Sequence, residues 1–68
     1  MAEKLIILGG GESGVGAAIL ASVKGYEVFL SDAGKIGQSY LDELNAHGID
    51  HESGEHTVEK ILSADLIV

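Results

Sequence analysis

Three glycines, Gly9, Gly11 and Gly14, stand between an aliphatic run and a segment of helical periodicity. Between a strand and a helix, each has a physical task. Gly9 permits the tight turn, Gly11 lets a ligand approach the backbone, and Gly14 lets the helix lie close on the sheet. The helix start behind them offers unpaired backbone N–H groups and the positive end of a dipole, which together suit an anion. Asp32 follows the next apolar run, where a carboxylate can accept hydrogen bonds from a ribose diol. The combination points to a nucleotide. Glu12, inside the turn, puts a carboxylate where a dinucleotide's pyrophosphate would cross. That residue argues against a nicotinamide dinucleotide. Two other readings share the same glycines: an NAD(P)- or FAD-binding domain of an oxidoreductase or regulator, and a non-catalytic scaffold in which they only solve a packing problem.

Other chemistries fit less well. Gly11-Glu12-Ser13-Gly14-Val15 resembles a nucleophile elbow, but Val15 stands at the second glycine position. Gly34-Lys35 ends like a phosphate loop, yet Phe29 and Ile36 replace its first glycine and its hydroxyl residue. Residues 1–68 thus hold no ATP-hydrolysing motif. His47 and His51 are separated by Gly48, which breaks the helix between them. Asp50-His51-Glu52 and Glu55-His56 read as a solvated loop rather than as metal ligands. Tyr26 and Tyr40 read as packing residues.

The elements that must position the glycine turn follow from periodicity. Leu5–Leu8 is an unbroken aliphatic run, as expected of a strand covered on both faces. Val15, Ala18, Ile19, Ser22 and Val23 recur at helical spacing, with Gly16, Ala17 and Ala21 extending a small-residue face. Lys24 then Gly25 marks the helix end. Tyr26–Leu30 reads as a second strand and Ser31–Gly34 as a turn. Ile36, Tyr40, Leu41 and Leu44 mark a second helix, closed by Gly48. Ile49–Glu52 reads as a short third strand. Thr57 is positioned to cap a third helix that carries Val58, Ile61 and Leu62 inward. Leu66–Val68 begins a fourth strand. This alternation implies an α/β fold, a Rossmann-like parallel sheet with helices on its faces, truncated in or after the fourth strand.

Composition sets the outer bounds. The chain has 68 residues, 46% of them hydrophobic, no Cys, and a formal net charge of -7. That size allows one domain, and without Cys there is no disulfide or thiolate metal site. An acidic chain without Arg is a poor partner for nucleic acid or an anionic membrane. The Leu5–Leu8 run is too short for a signal peptide, and no stretch approaches the ~20 apolar residues of a membrane span. Asp65-Leu66-Ile67-Val68 ends the chain inside an apolar run, so we expect a piece of something longer.

Lys4 through Ala18, with Leu-Ile-Ile-Leu-Gly-Gly-Gly-Glu-Ser-Gly-Val-Gly-Ala between them, resembles the N-terminal glycine turn of the Mur ligases of peptidoglycan synthesis. The similarity is to the branch that joins D-glutamate to UDP-N-acetylmuramoyl-L-alanine. Val28–Asp32 is similar to that family's second strand and its acidic end. Ser63–Val68 is similar to the strand that runs, in the family, into a Ser-Pro-Gly turn. The resemblance covers essentially the whole chain. It implies that residues 1–68 are a partial N-terminal, UDP-binding domain of a cytoplasmic ligase involved in cell wall biogenesis, cell shape and cell division. The ATP- and Mg²⁺-binding central domain and the D-glutamate-docking domain are not in these residues. It further implies that Gly11, Glu12, Ser13 and Gly14 contact the substrate's diphosphate or uridine, and that Asp32, Ala33, Gly34 and Lys35 border the uridine. The family's Arg after the acidic residue is missing, and Lys35 is its nearest substitute. No catalytic residue and no metal ligand is expected here.

Overall fold

A computed structural model describes residues 2–68. Its elements alternate: β1 (Lys4–Leu8), α1 (Glu12–Val23), β2 (Glu27–Asp32), α2 (Gln38–Ala46), β3 (Asp50–Ser53), α3 (Val58–Leu62) and β4 (Leu66–Ile67). All strand pairs are parallel, in the order β3-β2-β1-β4. The chain therefore builds outward from β1 in one direction, then returns to β1's other side. That reversal makes a switch point at the carboxyl end of β1, where open α/β sheets hold their ligands.

The core lies on the face covered by α1 and α2. Leu5 pairs with Val28 and Ile7 with Leu30, so their side chains share that face. Val15, Ala18 and Ala21 of α1 pack onto them, together with Ile36, Leu44 and Ile49. The alanines keep the α1 inner stripe small, so the helix axis can approach the sheet. Leu30, Ile36 and Leu44 are almost wholly enclosed. Each contributes roughly 1.5–3 kcal/mol by leaving water. Tyr26 and Tyr40 pack against this core, as expected.

Several expectations need correction. Val23 is 74% exposed and Gly16 faces open space. Val23 lies about 140° around the helix from Ala18, outside a stripe centred on Val15, Ala18 and Ala21. β2 runs two residues past its predicted end, through Ser31 and Asp32, because β3 pairs with both: Ser31 with Glu52 and Asp32 with Ser53. Val58 and Leu62 are 63% and 78% exposed, although an inward face was predicted for them. With 5 residues, α3 turns little more than once. Ile61 is half-buried, and Lys60 reaches the sheet, its ammonium 4.5 Å from the Phe29 ring centroid.

β4 is a short edge strand, and Leu66, Ile67 and Val68 are exposed rather than enclosed. Its ladder continues through Val68, whose N–H donates to the Ile6 carbonyl and whose carbonyl accepts from Leu8. α1 and α2 end as predicted, with Gly25 and Gly48 at positive φ. Among the described residues, no helix is long and apolar enough to cross a membrane.

Candidate functional site

The turn between β1 and α1 is fixed by two glycines that nothing else can replace. Gly9 has φ +117°, and its N–H donates to the Ser31 carbonyl at 2.8 Å. A Cβ on Gly14 would stand 1.9 Å from the Gly9 carbonyl oxygen, so only glycine lets α1 start this close to the strand end. Gly11 differs. It takes the position before α1 with an extended backbone, and a Cβ there meets no atom within 4 Å. The space beside Gly11 is open to a ligand. The N–H groups of Glu12, Ser13 and Gly14 fall in the first turn, where no helical carbonyl reaches them. Glu12 and Ser13 are exposed, with Glu12 in the first turn of α1.

Asp32 joins this turn to the next one. Its Oδ2 accepts the Gly10 N–H at 2.6 Å, and its Oδ1 accepts the Gly34 N–H at 2.8 Å. The Gly10 hydrogen bond, then that of Gly34, holds its carboxyl below the usual carboxylate range. Each oxygen retains a lone pair for a further donor such as a ribose hydroxyl. Gly10 is pinned from the other side, since a Cβ would lie 2.8 Å from Ile36 Cγ1. Ala33, Gly34 and Lys35 form an exposed turn beside this clasp.

A third loop joins the group. Gly54 N–H donates to the Gly34 carbonyl at 2.8 Å, which ties the β3–α3 connection to the β2–α2 turn. Beneath it, Ser31 is fully buried. Its Oγ lies 2.8 Å from Glu52 Oε2 and 2.6 Å from His56 Nδ1. Glu52 also accepts both the N–H and the hydroxyl of Thr57. Those two bonds, the Ser31 hydroxyl and the nearby Lys60 charge lower the Glu52 carboxyl to about 2. Thr57 does precede α3, but its hydroxyl serves Glu52 rather than the helix N–H groups. Among the described residues, no buried side-chain nitrogen or oxygen lacks a partner.

The sequence expectations thus divide. Gly11, Glu12, Ser13 and Gly14 lie on one turn, Asp32–Lys35 on the next, and the Gly10–Asp32 bond holds the two together. The sequence reading has Thr57 as a helix cap and His56 as a solvated loop residue, and does not join them with Ser31 and Glu52 in one network. Their only signal in the sequence was a Ser beside the acidic residue and a Glu ahead of a His-Thr pair. His47 ends α2 and His51 Nδ1 lies 3.0 Å from the Ile49 carbonyl, so the histidines serve separate places. Among the described residues, no three His, Asp or Glu side chains converge as for a metal. The glycine turn is an open surface. A cleft of about 180 Å³ lies elsewhere, at the amino ends of the strands, with Lys4, Phe29, Asp50 and Lys60 in its walls. The unpaired N–H donors stand instead at the carboxyl ends, on the glycine turn, where a helix start suits an anion.

No protein-family model matches the chain. Curated relatives do. The chain is 54% identical, over its full length, to a UDP-N-acetylmuramoylalanine–D-glutamate ligase of Cytophaga hutchinsonii, of which it covers 15%. It is 52% identical over 66 residues to the ligase of that name from Bacteroides fragilis, again covering 15%. With the Chlorobium chlorochromatii ligase it shares 41% over 66 residues, 14% of that protein. The chain therefore spans about 15% of the length of the curated relatives it matches.

Proposed function

From this homology to D-glutamate-adding ligases, we propose that residues 1–68 are the N-terminal, UDP-recognising part of such an enzyme. The parent protein joins D-glutamate to UDP-N-acetylmuramoyl-L-alanine with ATP and Mg²⁺, in peptidoglycan synthesis in the cytoplasm. Identity of 54% across the whole chain carries this reading. The open turn supports it as well. The first-turn N–H groups of α1 face space beside Gly11, where a diphosphate can bind without any cationic side chain. Glu12 and Ser13 flank that diphosphate, and Gly14 permits the approach. Asp32 takes the ribose side, with Ala33, Gly34 and Lys35 along the uridine.

ATP and Mg²⁺ do not fit these residues. Gly34-Lys35 is not a phosphate loop, and no acidic cluster is placed to hold a cation among the described residues. Residues 1–68 bind and orient the substrate's nucleotide; the chemical steps belong to other parts of the protein. The intact protein should release phosphate when given UDP-N-acetylmuramoyl-L-alanine, ATP and D-glutamate together. No release with all three would sink the proposal. Binding of NAD without binding of UDP would put a dinucleotide domain in its place.

A further inference from the structure

The β3–α3 loop carries a group that the nucleotide reading leaves unused. Ser31 Oγ has three neighbours: Glu52 Oε2 at 2.8 Å, the Glu55 carbonyl at 3.3 Å and His56 Nδ1 at 2.6 Å. A hydroxyl has one hydrogen to give. The ionised Glu52 carboxylate can only accept, and it is a nearer and stronger acceptor than the Glu55 carbonyl. The Ser31 hydrogen therefore goes to Glu52. His56 Nδ1 must then be the donor in its own short contact, because Ser31 has no second hydrogen. The tautomer of the neutral ring follows: the proton sits on Nδ1, and Nε2 is a lone-pair acceptor.

His56 is exposed, and among the described residues Nε2 has no hydrogen-bond partner. Its ring is anchored rather than loose, since Ser31 beneath it is fully buried. Its loop also borders the Asp32 turn, since Ser31 directly precedes Asp32 and the Gly54 N–H donates to the Gly34 carbonyl. His56 thus adds an acceptor to the loops at the carboxyl end of β2, where Asp32 already stands. Acceptors select the neutral donors of a nucleoside rather than its phosphates. Asp32 suits a ribose diol. A single lone pair on a planar ring suits an imide N–H.

Resting on the uridine-nucleotide reading, we propose that His56 is a base-reading residue whose Nε2 accepts the hydrogen bond of the uracil imide N–H. A cytosine ring presents a lone pair at that position, so two acceptors would face each other and cytidine nucleotides would be rejected. A uracil methylated at the imide nitrogen would be rejected by loss of the hydrogen and by bulk.

The test uses the intact protein that carries these residues, with UDP, CDP and N3-methyl-UDP as calorimetric probes. His56→Asn retains an amide N–H to meet Ser31 but has nothing in place of Nε2. His56→Gln reaches the Nε2 position with an acceptor oxygen but drops Ser31. The wild type should prefer UDP over both analogues by about tenfold or more. His56→Asn should lose that preference and bind UDP about tenfold less tightly, with its melting temperature unchanged. His56→Gln should recover part of the preference. The proposal is overturned if His56→Asn discriminates like wild type, or if wild type binds UDP and N3-methyl-UDP alike. Absence of UDP binding in the wild type would overturn the nucleotide reading too, whereas normal UDP binding with unaltered discrimination in His56→Asn overturns the His56 assignment alone.

Discussion

Asp32 Oδ2 accepts the backbone N–H of Gly10 at 2.6 Å, from a strand end 22 residues away in sequence. The bond closes the gap between the first two strand-end turns. The other carboxylate oxygen closes the second turn on itself through Gly34. One side chain thereby fixes the surface on which the nucleotide is proposed to lie. A ribose hydroxyl would join a carboxylate that is already oriented, rather than having to order it.

Asp32→Asn should expose that dependence. An amide has one acceptor oxygen, so its NH₂ must face either Gly10 or Gly34, donor against donor. Hydrogen bonds to charged groups are worth about 1.5–3 kcal/mol, and the loss here should fall in that range. The denaturation midpoint should drop accordingly, and affinity for UDP should fall with it. An unchanged midpoint would show that the clasp is dispensable.

The pH dependence of stability follows from Glu52 and has a definite sign. Its carboxyl lies at about 2 in the folded protein against an ordinary value of 4.5. A depressed value means that the folded state favours the charged form. The contribution is complete above pH 4.5 and is lost as the pH falls from there towards about 2. Asp32 is shifted in the same direction, from 3.8 downward, and adds to the loss in the lower part of that window. Denaturation midpoints measured at falling pH should decline through this window, and Glu52→Gln should decline less steeply. Equal slopes for the two proteins would remove Glu52 from the account.

The glycine turn shows which features could be read from residue types and which could not. Gly9 and Gly14 were legible because steric demands are local: one supplies a positive φ, the other a missing Cβ. The strand–helix alternation was legible for a similar reason, since Leu5–Leu8 and the Val15-Ala18 spacing are short-range patterns. The end of β2 was not. Ser31 and Asp32 look like turn residues in isolation, and only pairing with a polar third strand draws them into the sheet. The Ser31–Glu52–His56 network was hidden for the same cause: its members are 21 and 25 positions apart. The inward face expected of Val58 and Leu62 failed because amphipathic spacing cannot tell how short the helix will be.

Gly14→Ala and Gly16→Ala make a contrast within one helix. A methyl at Gly14 would press on the Gly9 carbonyl at 1.9 Å, and α1 would have to move off the sheet. Overpacking of that kind costs about 1–3 kcal/mol, or more where backbone must shift. A methyl at Gly16 meets nothing within 4 Å. There the alanine should stabilise the helix by about 0.5–1 kcal/mol. Thermal melts of the two variants should therefore shift in opposite directions. Parallel shifts would mean that α1 does not sit against the Gly9 carbonyl.

Gly11→Val separates ligand space from packing space. Gly11 has φ -84° and ψ -169°, an extended conformation open to any residue, and no atom lies within 4 Å of its Cβ position. The substitution should fold normally, apart from a poorer helix start worth at most ~1 kcal/mol. Gly11→Ser is the control for that cost, since serine is a good residue before a helix. Valine fills the space in which the α1 N–H groups would meet a diphosphate. UDP affinity should fall by at least about tenfold, roughly 1.4 kcal/mol, while the melting temperature barely moves. A scaffold with no ligand at this turn predicts the same small stability change, but with every activity of the parent protein intact. Calorimetric titration with UDP, set beside a thermal melt of the same samples, distinguishes the two.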